Sequence, residues 1–196
     1  MAKKRLCLAS GSPRRREILD MAGYSHYVLS TDADESTDIR DAGSLCVELS
    51  ARKAAAAAKT ERDCVIVAAD TVVELDGIIL GKPSGAEEAY AMLTALSGRT
   101  HRVHTGCTVT DGERTVSFES VAAVTMRNIE EREKNDYIAT GSPLDKAGAY
   151  GVQDAGGMFV SDIDGDFYTV MGLPLCKLSQ VLADFGIYPE MGIIKK

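Results

Sequence analysis

The alternation of apolar and polar positions divides the chain into short, well-punctuated elements. Residues 5–9 read as a buried strand. Ser12 and Pro13 then stand where an N-cap and a first helical residue belong, and Ile18, Leu19 and Ala22 supply one apolar face of a helix over 13–23. Residues 26–35 look extended and end in the acidic run DADE. An alanine-rich stretch, 43–59, predicts a strong helix capped by Ser44. The β-branched run CVIVAAD (64–70) is a buried strand, and 71–80 continues it into a hairpin at Asp76-Gly77. Ser84 with Glu87 suggests a capping box for a helix over 85–96. Two alternating runs, 99–110 and 114–127, flank Asp111-Gly112 and predict a long hairpin. Asn128 with Glu131 suggests the cap of a helix over 129–139. A glycine-rich loop over 141–157, a hairpin over 158–170 and a last helix opened by Pro174 complete the chain. Helices mixed with antiparallel hairpins imply a mixed, mostly antiparallel sheet with helices packed on it.

Composition narrows the function classes. The 196 residues suit one domain, or one domain of two lobes, and 45% hydrophobic residues suffice for a core. No apolar run approaches the roughly 20 residues of a membrane helix, and the basic start MAKKRLCLAS is too short in apolar residues for a secretory signal. The five cysteines are scattered and odd in number, without a CxxC pair. They fit buried thiols in a reducing cytoplasm rather than a disulfide framework or a zinc site. A net charge of −7 argues against a nucleic-acid polymer as partner but leaves room for a local basic pocket.

Such a pocket is suggested by the stretch LASGSPRRREIL (8–19). Arg14, Arg15 and Arg16 fall in the first turn of the helix, where the dipole disfavours cations by roughly 0.3–1 kcal/mol each. Backbone N–H groups, the hydroxyls of Ser10 and Ser12, and arginine forks would converge there on phosphate oxygens. Adjacent arginines in one turn diverge, so at most two share a pocket. Removing Arg15 is expected to relieve the local repulsion and stabilise the helix slightly. Asp70 ends an otherwise apolar strand, a position suited to holding Mg²⁺ or accepting a proton from water, or simply to pairing with nearby N–H groups. Lys82, beside Pro83 and just before a helix, sits at another anion-favouring end, although a turn lysine there is commonly just exposed. Glu35 lies in an acidic run and Lys53 on the alanine-rich helix; neither says much alone. HRVH (101–104) is not a metal pair, because i and i+3 of a strand face opposite sides, and DIDGD (162–166) lacks the glycine a calcium loop needs.

Together, LASGSPRRREIL, Glu35, LSARKA around Lys53, AADTVV, GKP, LSGRTHRVHTG, PLDKAGAYGVQ and GLP resemble the Maf family of nucleotide pyrophosphatases, from about residue 6 to residue 182. The resemblance implies an α/β fold similar to that of the inosine triphosphatases. A long bent mixed sheet would carry helices on both sides, with a deep cleft between two lobes, and 1–196 would be a single domain. It implies cleavage of nucleoside triphosphates to the monophosphate and pyrophosphate with a divalent cation, Mg²⁺ or Mn²⁺. Arg14, Asp70-Thr71 and Gln153 resemble the branch acting on dTTP and UTP rather than the one acting on 7-methyl-GTP. By analogy Arg14, Thr71 and Gln153 are specificity positions, and Asp70 is the proton acceptor. Arg15, Lys53 and Lys82 bind phosphates, and Glu35 with Asp70 holds the metal. Glu35, Lys53 and Lys82 thus join Asp70 in the catalytic set. A house-cleaning role on modified pyrimidine nucleotides belongs to the same expectation. So does a homodimer, and so does the alternative of a non-catalytic regulator of septum formation.

Overall fold

The computed structural model describes residues 4–190. One sheet of seven strands organises them: β1 (Arg5–Leu8), β2 (His26–Val28), β3 (Cys64–Leu75), β4 (Ile78–Leu80), β5 (Thr100–Thr110), β6 (Thr115–Met126) and β7 (Val160–Asp164). The order is β2-β1-β3-β5-β6-β7, with β4 paired to β3. β1 is parallel to β2 and β3, and the other pairs are antiparallel, so the sheet is mixed as expected. The helices are α1 (Pro13–Met21), α2 (Ala42–Ala58), α3 (Ala86–Leu96), α4 (Glu131–Ala139), α5 (Phe167–Met171) and α6 (Leu175–Asp184).

The twelve-residue strand β3 explains where the site must lie. β5 covers one of its edges along most of its length, through Ile66–Glu74. Its other edge pairs with β1 through Val67 and with β4 only from Val73. Asp70 and Thr71 fall in the gap between those partners. The period of two then splits the neighbours of β3. Val65, Val67 and Ala69 enter one core with Leu6, Ile18, Leu19, Leu178 and Leu182. Val73 and Leu75, on the same face, enter a second core with Met92, Leu93, Leu96, Tyr137 and Phe159. Thr71 is the residue of that face between the two. Ile66, Ala68 and Val72 point to the opposite face, where α2 packs with Cys46, Ala54 and Ala57. Asp70 shares that face.

Helix α2 lies unusually close to the sheet. A Cβ on Gly106 of β5 would come within 2.3 Å of the Cys46 carbonyl, so only glycine fits beneath the helix. Asp76 and Gly77, with φ of 52° and 80°, make the expected β3–β4 turn.

Several local expectations are corrected. Asp41 rather than Ser44 caps α2, and it accepts from the Ser44 N–H at 2.8 Å. Helix α3 starts after Gly85, and it is Glu88, not Glu87, that accepts from Ser84. Glu130 and Glu133 form the capping box of α4 in place of Asn128 and Glu131. Ser12 occupies the N-cap of α1 without a side-chain cap bond. Residues 158–170 are not a hairpin: β7 pairs with β6, and the chain then turns into α5. The β-forming composition of FYTVM is overridden there by Asp166, which caps Tyr168, and by Gly172 at the helix end with φ +102°. Four cysteines are buried free thiols, but Cys176 is exposed.

Candidate active site

A cavity of about 460 Å³ opens between the two cores. Ser12, Arg14, Arg15, Glu35, Lys53, Asp70, Thr71, Lys82 and Gln153 all line it. Residues expected to act together from six stretches of chain are thus brought into one place. Ser10 lies just behind the wall, where its Oγ accepts from Arg15 at 3.0 Å and from the Ser12 N–H at 3.2 Å.

The carboxylate end is built by α2. Its close approach to the sheet sets Lys53 Nζ 2.5 Å from Asp70 Oδ1 and 2.8 Å from Glu35 Oε1. Arg52, held by Glu48 at 2.8 Å, donates to the backbone carbonyls of Asp34 and Ser36 at 3.2 and 2.8 Å. The acidic run is therefore tied down, and Glu35 is turned to Lys53. Asp70 and Lys53 are largely enclosed, whereas Glu35 remains 59% exposed at its side chain.

The cationic end is built by α1. Arg15 reaches between the cores and donates from Nε to the Gly172 carbonyl at 2.7 Å, from one terminal nitrogen to Ser10, and from the other to Thr71 Oγ1 at 3.1 Å. Burial lowers the Arg15 pKa and Asp70 pulls it back, yet no carboxylate lies within ion-pair distance among the described residues. Arg14 crosses the mouth to Asp145 at 3.2 Å. Arg16 points away and, among the described residues, its guanidinium meets only Asp20 at 4.0 Å, so two arginines and not three share the pocket. Lys82 is exposed at the rim and has no ion-pair or hydrogen-bond partner among the described residues.

The far wall comes from residues 142–156. Lys146, buried, donates to the Ser142 carbonyl and to Asp145 at 2.5 and 2.6 Å and lies 3.3 Å from Asp154. Asp154 also accepts from Tyr137, Ser142 and the Gly156 N–H. This network fixes the loop that presents Gln153, whose amide has no partner among the described residues. Burial tends to raise the Asp145 pKa, but its bond from Lys146 and the charge of Arg14 outweigh this and hold the carboxyl below the usual range. Asp145 and Lys146 were not singled out from the sequence. The motif PLDKAGAYGVQ contains them, but an adjacent Asp-Lys pair reads as ordinary surface charge until the fold folds it inward.

The chain matches the family model for Maf-like proteins over residues 5–185. It belongs to the Maf family. Among curated relatives, a dTTP/UTP pyrophosphatase of Bacillus cytotoxicus is 43% identical over 183 residues, covering 93% of this chain and 96% of the relative. Proteins of the same name from two Bacillus cereus strains are 40% and 42% identical, each covering 94% of this chain and, respectively, 97% and 91% of the relative. Among solved structures, the Staphylococcus aureus Ham1 protein aligns with a TM-score of 0.44 at 16% identity, over 63% of this chain and 72% of that one. Within this Maf-family chain the matched stretch contains every wall residue of the cavity named above.

Proposed function

We propose that the chain hydrolyses dTTP and UTP to the nucleoside monophosphate and pyrophosphate. The observation that carries this reading is the cavity itself, where an enclosed carboxylate, Asp70, faces cations suited to a polyphosphate. Relatives named for that activity match nearly the whole chain. Phosphoanhydride hydrolysis needs positive charge on the phosphate oxygens and an oriented water more than covalent chemistry. Arg15, Lys53 and Lys82 bind the phosphates, with the N–H groups of the α1 start and the hydroxyls of Ser10 and Ser12 behind them. Asp70 accepts a proton from the attacking water, the α–β phosphoanhydride bond breaks, and pyrophosphate departs. Arg14 and Gln153, both on the cavity wall, read the pyrimidine; an amide offers both a donor and an acceptor to its carbonyl and N–H edge.

Glu35 and Asp70 both converge on Lys53 Nζ, so two hard oxygen donors meet at one cation position. That donor set fits Mg²⁺ or Mn²⁺, which take few protein carboxylates and fill their shells with water and phosphate. Held by Glu35 and Asp70 in place of the Lys53 ammonium, which would then turn to the phosphates, the metal would supply further positive charge to the phosphate oxygens. We read residues 1–196 as one catalytic domain working as a homodimer in the cytoplasm. The buried free thiols support the reducing compartment, and no helix among the described residues is long and apolar enough to cross a membrane.

Asp70→Asn is the test. It keeps the shape of the strand end and is expected to lower turnover by about 10²–10⁴-fold while UTP still binds. Retained turnover would remove Asp70 from its role.

A further inference from the structure

Thr71 and Thr105 are directly opposed on β3 and β5, at the seam between the two cores. The hydrogens in this pair can be assigned. Thr105 Oγ1 lies 2.8 Å from the Thr169 carbonyl oxygen, which only accepts, so the Thr105 hydroxyl donates there. The 3.0 Å contact between Thr71 and Thr105 then has one direction: Thr71 donates and Thr105 accepts. A guanidinium has no acceptor, so Arg15 donates to Thr71. The only hydrogen of the Thr71 hydroxyl is therefore committed to Thr105, and one of its lone pairs to Arg15.

The surroundings hold this chain in place. Thr105 is fully buried, so it touches no ligand. Thr169 is fixed in turn, with its hydroxyl bonded to Ser120 at 2.8 Å and to Asp166 at 3.0 Å. Gly172 closes the remaining side: its carbonyl accepts from Arg15 Nε, and a Cβ there would lie 3.1 Å from Thr71 Oγ1. Every acceptor of Arg15 among the described residues is neutral. Such partners fix the plane of the guanidinium without cancelling its charge, whereas the ion pairs of Arg14 and Lys53 partly do.

We propose that Thr71 and Thr105 are positioning residues that aim Arg15 at the phosphates. The proposal rests on the pyrophosphatase reading and names a task within that site.

The test compares wild type with Thr71→Val, Thr105→Val, the double variant, Thr71→Ser and Thr105→Ser. Inorganic pyrophosphate, which has no base, is used as a competitive inhibitor, and the ratio of kcat/KM for UTP and CTP is measured alongside. Thr71→Val is expected to weaken pyrophosphate binding about tenfold and Thr105→Val about threefold, the double variant being no weaker than Thr71→Val. The serine variants should stay within about twofold of wild type. Unchanged pyrophosphate binding in Thr71→Val, or a changed base ratio with pyrophosphate binding intact, would overturn the proposal. So would strictly additive losses in the double variant. Should Thr105→Val fail to fold, the Thr71→Val and Thr71→Ser pair decides the question, because Thr71 stands on the cavity wall. A wild-type chain that cleaves no nucleoside triphosphate and ignores pyrophosphate overturns the pyrophosphatase reading itself, and the relay with it.

Discussion

Arg15 shows how a residue changes meaning between sequence and structure. Its place in the first turn of a helix marks it as a local cost, from which a slightly more stable Arg15→Ala chain is expected. The structure reverses the sign. Three hydrogen bonds, to Ser10, Thr71 and Gly172, tie α1 to both β3 and the end of α5. Arg15→Ala should lower stability by about 1–3 kcal/mol and kcat/KM for UTP by about 10²-fold or more. Thermal melts and steady-state rates check both, and a more stable variant would return the arginine to a merely tolerated role. His101 carries a second prediction at this scale. It is buried, bonds to the Tyr150 hydroxyl at 2.7 Å, and burial lowers its pKa from 6.5 to about 4. The folded state therefore holds it neutral, and its contribution is complete above pH 6.5. As pH falls from 6.5 towards 4 the unfolded chain takes up a proton that the folded one does not, and about 3 kcal/mol is lost. The fall in melting temperature between pH 7 and pH 4.5 should be shallower in His101→Asn than in wild type; parallel curves would contradict this.

Among the elements, α2 is the one on which the chemistry depends. Its alanines and the absence of a side chain at Gly106 let it sit close enough for Lys53 to reach Asp70. Gly106→Ala would push α2, at Cys46, away from the sheet and should cost about 3 kcal/mol or more, with loss of turnover even where the chain stays folded. Chemical denaturation and activity at low temperature would show it, and a silent substitution would mean that the helix position is not what holds Lys53. The long periodic elements were legible in the sequence because period and burial agree in them, as in β3, β5, β6 and α2. The caps were less so: Asp41, Glu88 and Glu130 each took the role expected of a neighbour, because several polar residues compete within one turn. FYTVM misled for a different reason, since Asp166 and Gly172 bound a helical turn within a run of good strand formers.

The whole molecule is organised by the gap on β3 between β1 and β4. Two cores form on one face of the sheet, α2 covers the other, and the cavity opens at their junction. Most of its lining residues were legible through family motifs, since single charges such as Glu35 or Lys82 carry little signal alone. Three residues lay inside those motifs without a role: Asp145 and Lys146, which brace the loop of Gln153, and Thr105 behind Thr71. These act through other residues, and only their neighbours in space reveal them. The most direct measurement is identification of products after incubating the chain with UTP, dTTP, CTP, ATP and GTP and Mg²⁺ or Mn²⁺, with a chelated control. Pyrophosphate with UMP or dTMP, little turnover of the purines and silence after chelation is the predicted result. Orthophosphate with UDP, or no reaction with any nucleotide and either metal, would contradict it.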